Sequence, residues 1–209
     1  RRCNCKSYLV LRDSFPQWAV DDGLIKKGSA IERYFKFFEN VTYVNADMIG
    51  VMSSGNLEIF KQRTNDRYRA SVLRNWTRTE PHKIIDVTAN LRRHLGLKNE
   101  IIFFYGGNIG HAQDMKNLMR LVRRMQIFNN AHFLFVGQGD EVQLINKLAV
   151  EWKLGNFSYL PSVTQGEYRD MLTQVDVGLF SLSAKHTSHN FPGKLLGYMR
   201  QALPILGSV

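Results

Sequence analysis

Ile101-Ile102-Phe103-Phe104-Tyr105-Gly106-Gly107-Asn108-Ile109-Gly110 reads as a strand that runs straight into a glycine turn. Five consecutive apolar residues with no polar alternation mark a parallel strand covered on both faces. The pattern then repeats. A helix is expected from about Asp114 to Met125, with Met115, Leu118, Met119, Val122 and Met125 on one face. The strand His132 to Val136 leads into a second glycine turn, Gly137-Gln138-Gly139. Asp140 and Gln143 suggest a capping box for a helix carrying Leu144, Ile145, Leu148 and Trp152. Phe157 to Leu160 is a short strand, and Thr164 with Glu167 makes another capping box ahead of Tyr168, Met171, Leu172 and Val175. A strand at Val175 to Phe180, a helix after Pro192 and a strand at Pro204 to Leu206 complete the series. This alternation predicts an α/β fold built on a doubly wound parallel sheet. Such sheets bind ligands at the carboxyl ends of their strands.

The earlier part is less regular. Tyr8 to Leu11 and Asp47 to Met52 read as strands, and Leu57 to Arg63 as a helix. Ser29 and Glu32 open a helix bearing Tyr34, Phe35, Phe37 and Phe38. That aromatic stripe is expected to pack into the core rather than to face a membrane. A polar stretch from Val72 to Lys83 places the domain boundary near 75–88.

A chain of 209 residues with 44% hydrophobic residues is globular and holds one large or two small cores. No apolar run approaches a membrane span, and the start is not a signal peptide. Arg1-Arg2 without a leading Met, and an end at Leu206-Gly207-Ser208-Val209, read as a piece of a longer protein. The net charge is +10, with +6 in residues 1–83 and +4 in residues 84–209. A basic surface attracts polyanions, anionic membranes or phosphate-bearing substrates. No basic run interleaved with aromatics suggests a nucleic-acid groove. Cys3 and Cys5 are too few for a structural zinc site, and a reducing cytoplasm is the default.

Both glycine turns and the segment Asn190-Phe191-Pro192-Gly193-Lys194 fall at the carboxyl edge of the sheet. Asn190 suits a helix cap and Pro192 the first turn. Lys194 then lies where the helix dipole disfavours a cation. That placement makes sense beside an anion held by Lys194 and free backbone N–H groups. A solvent-facing lysine on an ordinary capped helix is the alternative. The turn Gly107-Asn108-Ile109-Gly110-His111 would let backbone N–H groups approach a phosphate. Gly137-Gln138-Gly139 would admit a flat ring, or simply turn the chain. The loop from Ser183 to Asn190 adds Lys185, His186 and His189. His186 and His189 have no nearby Cys or carboxylate and make a poor zinc site. A hydrolase elbow, a Walker sequence and a dinucleotide fingerprint are all missing. Cationic and backbone donors suit stabilisation of a phosphate leaving group.

Three runs carry a family resemblance: Phe103 to Asp114, His132 to Gly139, and Phe191 to Met199 followed by Leu203 to Leu206. Together they resemble the nucleotide domain of retaining GT-B glycosyltransferases of family 4. More narrowly they resemble the bacterial O-antigen and capsule L-fucosaminyltransferases, which use UDP-N-acetyl-L-fucosamine. Arg12 to Val20, Asn45-Ala46-Asp47 and Arg74-Asn75-Trp76 resemble late parts of that family's first domain and its interdomain link. The resemblance therefore covers nearly the whole chain. It implies that 1–80 ends an acceptor-side Rossmann-like domain plus linker, and that 81–209 is a donor domain truncated at its C-terminus.

The resemblance also implies a UDP-sugar donor, a polyprenyl-diphosphate-linked glycan acceptor, and a cytoplasmic enzyme peripheral on the anionic inner membrane. That enzyme would serve lipopolysaccharide or capsule synthesis without metal or other cofactor, and without nucleic acid. The family's Glu-x7-Glu positions fall here on His189 and Gly197. Its diphosphate-holding Arg and Lys fall on Asn108 and the Gln113–Asp114 region. Lys194, His189 and Lys185 are therefore the expected catalytic cations. Gly107, Asn108, Ile109, Gly110, His111, Gly137, Gln138, Gly139, Pro161, Asn190, Pro192, Gly193 and Leu195 are expected around the donor. A GT-B UDP-sugar epimerase and an inactive nucleotide-binding fragment are the competing readings.

Overall fold

The computed structural model describes residues 5–21, 23–83, 90–183 and 191–208. The chain forms two compact units, one running to Asn75 and the other comprising Trp76–Ser183 and Pro192–Val209.

The first unit contains β1 (Tyr8–Leu11), α1 (Gln17–Asp21), α2 (Ala30–Asn45), β2 (Met48–Val51), α3 (Ser54–Thr64) and β3 (Ala70–Val72). Its three strands are parallel in the order β1-β2-β3. Tyr43, Ile49, Val51 and Phe60 form its small core. Ser29 caps α2 by accepting from the Glu32 N–H at 3.2 Å.

The aromatic stripe of α2 departs from expectation. Tyr34, Phe37 and Phe38 are 59%, 61% and 48% exposed, whereas Glu32 and Tyr43 are buried. The inward stripe is polar but internally satisfied. Glu32 accepts from the Gly28 N–H and pairs with Lys36 at 2.6 Å, and Glu39 accepts from the Tyr43 hydroxyl at 2.8 Å. Buried polar groups that find partners in this way carry little penalty. The stripe expected to pack inward thus faces out except at half-buried Phe35, and the less apolar side turned inward.

The second unit contains α4 (Leu91–His94), β4 (Ile101–Asn108), α5 (Met115–Arg124), β5 (Ala131–Gln138), α6 (Val142–Glu151), β6 (Phe157–Leu160), α7 (Gln165–Leu172), β7 (Val177–Ser181), α8 (Lys194–Arg200) and β8 (Ile205–Ser208). Five parallel strands lie in the order β6-β5-β4-β7-β8. Alternate residues of β4 feed opposite faces. Ile102 and Phe104 join Leu134, Val136 and Tyr198 on one side, while Tyr105 joins Phe133, Phe135 and the Met115–Met119 face of α5 on the other. This double burial is the physical reason for the unbroken apolar run. The Thr164–Glu167 capping box is present. The one expected at Asp140 is not: α6 begins after Glu141, whose N–H goes to the Ile109 carbonyl, and no side chain caps it.

The strand order winds outward from β4 in both directions. The crevice of such a sheet opens at the carboxyl ends of the strands where the order reverses, here β4 and β7.

Candidate functional site

α8 follows β7 and is fixed over this switch point by Tyr198. The Tyr198 hydroxyl lies 3.1 Å from the Leu179 carbonyl and 3.3 Å from the Phe104 carbonyl, and accepts from the Gly106 N–H at 3.3 Å. Its ring lies where a side chain on Gly178 would be, a Cβ there meeting it at 2.5 Å. One phenol thus ties α8 to β4 and β7 together. Lys194 lies four residues earlier, hence on the same helix face. Its ammonium rests over the Tyr105 ring, 3.4 Å from the centroid. Among the described residues no carboxylate pairs with it. Burial pulls its pKa from the ordinary lysine value down to about 7. An unpaired, desolvated cation is expensive to keep and is relieved by any anion that reaches it.

Gly107 opens that approach. Its φ is +120°, and a Cβ there would stand 3.8 Å from Lys194 Cε and 3.9 Å from Nζ. Its lack of a side chain leaves the front of the ammonium clear. The other turn glycines have a different cause. A Cβ on Gly137 would lie 1.8 Å from the Gly107 carbonyl oxygen, and one on Gly139 would lie 2.2 Å from the Ile109 carbonyl oxygen. A Cβ on Gly106 would meet the Tyr168 ring at 2.4 Å. Close strand approach and ring packing therefore require these three.

The structure places most of the expected donor residues, and two of them, Ile109 and Leu195, face the core. Ile109 is fully buried in the core, and its N–H is spent on the Gln138 carbonyl at 2.8 Å, so it offers a phosphate nothing. Leu195 packs against the core cluster of Tyr198 and Phe104. Asn108 turns its amide to Gln113 at 3.0 Å, and Gln138 accepts from the Ser162 hydroxyl at 3.2 Å. His111 is exposed and pairs with Glu141 at 3.1 Å. Gly110 lies beside Asn108 and Asp140, Pro161 is exposed just beyond β6, and Pro192 and Gly193 precede α8. The helix begins at Lys194 itself, with Gly193 at the cap and no side-chain capping bond. Lys185, His186, His189 and Asn190 lie outside the described residues.

A cavity of about 360 Å³ opens at the same edge, lined by Gly107, Gly137, Ser162, Tyr168, Arg169, Gly197 and Arg200, with Thr77 and His82 from the segment before α4. Sequence reasoning missed most of this wall. Long-range bonds assemble it. His82 bonds Asp170 at 2.7 Å, its backbone N–H donates to Gln201 at 3.1 Å, and Arg200 donates to the Glu80 carbonyl at 2.6 Å. Burial raises the Tyr168 phenol to about 12, so it lines the cavity as a neutral ring and donor. Gly197 leaves the floor without a carboxylate, and a Cβ there would press Leu172 at 3.2 Å. Val136, Val163 and Leu172 give the cavity an apolar side and Arg169 and Arg200 a cationic one, and it shares Gly107 with the Lys194 ammonium: it suits a phosphorylated ligand that also carries a flat apolar ring.

No family model matches the chain. It is 25% identical over 202 residues to a probable glycosyltransferase, WbjE of Pseudomonas aeruginosa, covering 96% of this chain and 50% of that protein. The chain thus spans about half the length of the curated relative it matches. Among solved structures it resembles WaaG, a glycosyltransferase involved in lipopolysaccharide biosynthesis, with a TM-score of 0.69, 14% identity, and 96% of this chain and 56% of WaaG covered. It resembles HepE of Anabaena, solved with UDP-glucose, with a TM-score of 0.69, 13% identity, and 97% of this chain and 53% of HepE covered. Sucrose-phosphate synthase of Thermosynechococcus elongatus gives a TM-score of 0.68 at 18% identity, with 100% of this chain and 51% of that one covered. The chain has the α/β fold with parallel sheets of GT-B glycosyltransferase structures.

Proposed function

We propose that the chain is the donor-binding part of a glycosyltransferase that moves a sugar from UDP to a growing bacterial glycan. The observation that carries this reading is the Lys194 ammonium, which has no carboxylate partner among the described residues and is held over Tyr105 beside Gly107 at the sheet's switch point. The diphosphate would meet Lys194, and the nucleoside would occupy the adjoining cavity against Tyr168 and Gly197. Support comes from the relatives: HepE was solved with UDP-glucose, and WaaG acts in lipopolysaccharide biosynthesis.

Within this reading the enzyme is a retaining, metal-independent transferase of family 4 that uses UDP-N-acetyl-L-fucosamine. Its acceptor is a polyprenyl-diphosphate-linked glycan of O-antigen or capsule synthesis, at the cytoplasmic face of the inner membrane. Protein groups have one main chemical task here, to stabilise the charge on the departing diphosphate. Lys194 does this from a desolvated position, where one positive charge counts for more than it would in water. Lys185 and His189 are the second cations of the proposal.

The test is calorimetric titration with UDP, GDP and ADP, with and without EDTA. Selective UDP binding unaffected by EDTA is expected. Equal binding of the three nucleotides, or binding abolished by EDTA, would overturn the donor assignment.

A further inference from the structure

His82 enters the cavity wall of the second unit from the segment before α4, and three bonds fix it there. Its backbone N–H donates to the Gln201 side chain at 3.1 Å, and its carbonyl accepts from the same amide at 3.2 Å. Its ring Nε2 lies 2.7 Å from Asp170 Oδ1 on α7. The His82 and Asp170 side chains are only 16% and 23% exposed. A carboxylate can only accept, so in the neutral ring the proton sits on Nε2 and the lone pair on Nδ1. Nδ1 has no partner among the described residues. A partly buried acceptor, aimed by a carboxylate and left unused, is ready to meet a donor.

The rest of the wall narrows what that donor is. Val136, Val163 and Leu172 offer an apolar side to a flat base. Arg169 is held by Gln165 at 3.0 Å and Arg200 by the Glu80 carbonyl at 2.6 Å, and a guanidinium accepts nothing. Gly197 brings no side-chain acceptor. The hydroxyls of a nucleoside sugar donate as well as accept, so donors alone leave them half satisfied. We infer that His82 sets specificity for the ribose of the donor nucleotide, its Nδ1 accepting from one of the two ring hydroxyls. Asp170 is a positioning residue that holds the tautomer and the plane of that ring. The inference rests on the donor reading above and deepens it, from a nucleotide to a ribonucleotide. A site that bonds a substrate hydroxyl rejects the analogue lacking it, because its own polar group is then left unpaired.

The test is calorimetric titration of the full-length protein with UDP, 2′-deoxy-UDP and 3′-deoxy-UDP. Wild type should bind one of the two deoxy nucleotides roughly tenfold more weakly than UDP. His82→Gln places an amide where Nε2 was and nothing where Nδ1 was. It can therefore keep the Asp170 bond, should melt as wild type does, and should bind all three nucleotides alike. His82→Asn offers an oxygen near the Nδ1 place and should keep most of the preference. Asp170→Asn frees the ring to take either tautomer and should reduce the preference while UDP still binds. If wild type binds UDP and both deoxy nucleotides equally, or if His82→Gln discriminates as wild type does, the role of His82 is overturned and the donor reading stands. No binding of UDP by wild type would overturn both.

Discussion

Replacing Lys194 by Met should make the ligand-free protein more stable while weakening its hold on UDP. Burial displaces the lysine from its ordinary pKa of 10.5 to about 7. Between those values the unfolded chain binds a proton that the folded one does not, so stability rises with pH across the window. The cost of the buried charge is complete below about pH 7 and gone above about pH 10.5. At about 1.4 kcal/mol per pH unit the whole displacement corresponds to about 5 kcal/mol. Lys194 keeps part of its surface in water, which screens the charge, so we expect roughly 2 kcal/mol to be recovered. For a chain of this size that raises Tm by about 5 °C at pH 6. The two proteins should converge near pH 10.5, where the wild-type lysine is neutral. Loss of one charge-assisted contact should weaken UDP binding on the order of 10- to 100-fold. Calorimetric melts at several pH values and UDP titrations at pH 7 supply both readouts. A variant less stable than wild type at pH 6, or one that binds UDP as well, would refute the reasoning.

Three further outcomes follow from the same geometry. A nucleotide sugar that pairs with Lys194 should raise its pKa, so binding at pH 7.5 should take up roughly 0.8 proton; titration in buffers of different ionisation heat measures it, and zero uptake would contradict the pairing. Tyr198→Phe leaves the buried Gly106 N–H without its acceptor and should cost about 1–3 kcal/mol in denaturant unfolding. Because that phenol also anchors α8, UDP affinity should fall with it, and unchanged affinity would separate the anchor from the site. Gly137→Ala puts a methyl against the Gly107 carbonyl at a φ of +153° and should cost at least about 4 kcal/mol. Gly155→Ala, which meets nothing within 4 Å, should melt as wild type does.

Much of the second unit was legible in the sequence because its local signals have one physical solution. The run Ile102–Tyr105 is apolar because both faces of β4 are covered there, and Thr164 and Glu167 form a capping box within a few residues of each other. The expected box at Asp140 is missing because α6 starts one residue later, with Glu141 at the cap and its N–H bonded to the distant Ile109 carbonyl. The glycine turns were expected after Tyr105 and Val136, but β4 runs on through Asn108 and β5 through Gln138, and three of these glycines answer to neighbouring strands and the Tyr168 ring. Such neighbours are far away in sequence. The same is true of the cavity wall, where His82 and Gln201 meet across 119 residues. Lys194 could be singled out because a lysine in a first turn is locally unfavourable. The orientation of α2 ran against its apolar pattern: Glu32 and Glu39 turn inward with partners at Gly28, Lys36, Tyr43 and Arg63, and the more apolar stripe faces out.

The most direct measurement is a crystal structure of the protein with a UDP-sugar bound. The account predicts a diphosphate oxygen within about 3 Å of Lys194 Nζ, in front of Gly107, with the nucleoside against Tyr168 and Gly197. A diphosphate bound elsewhere, with Lys194 still resting unpaired over Tyr105, would contradict it.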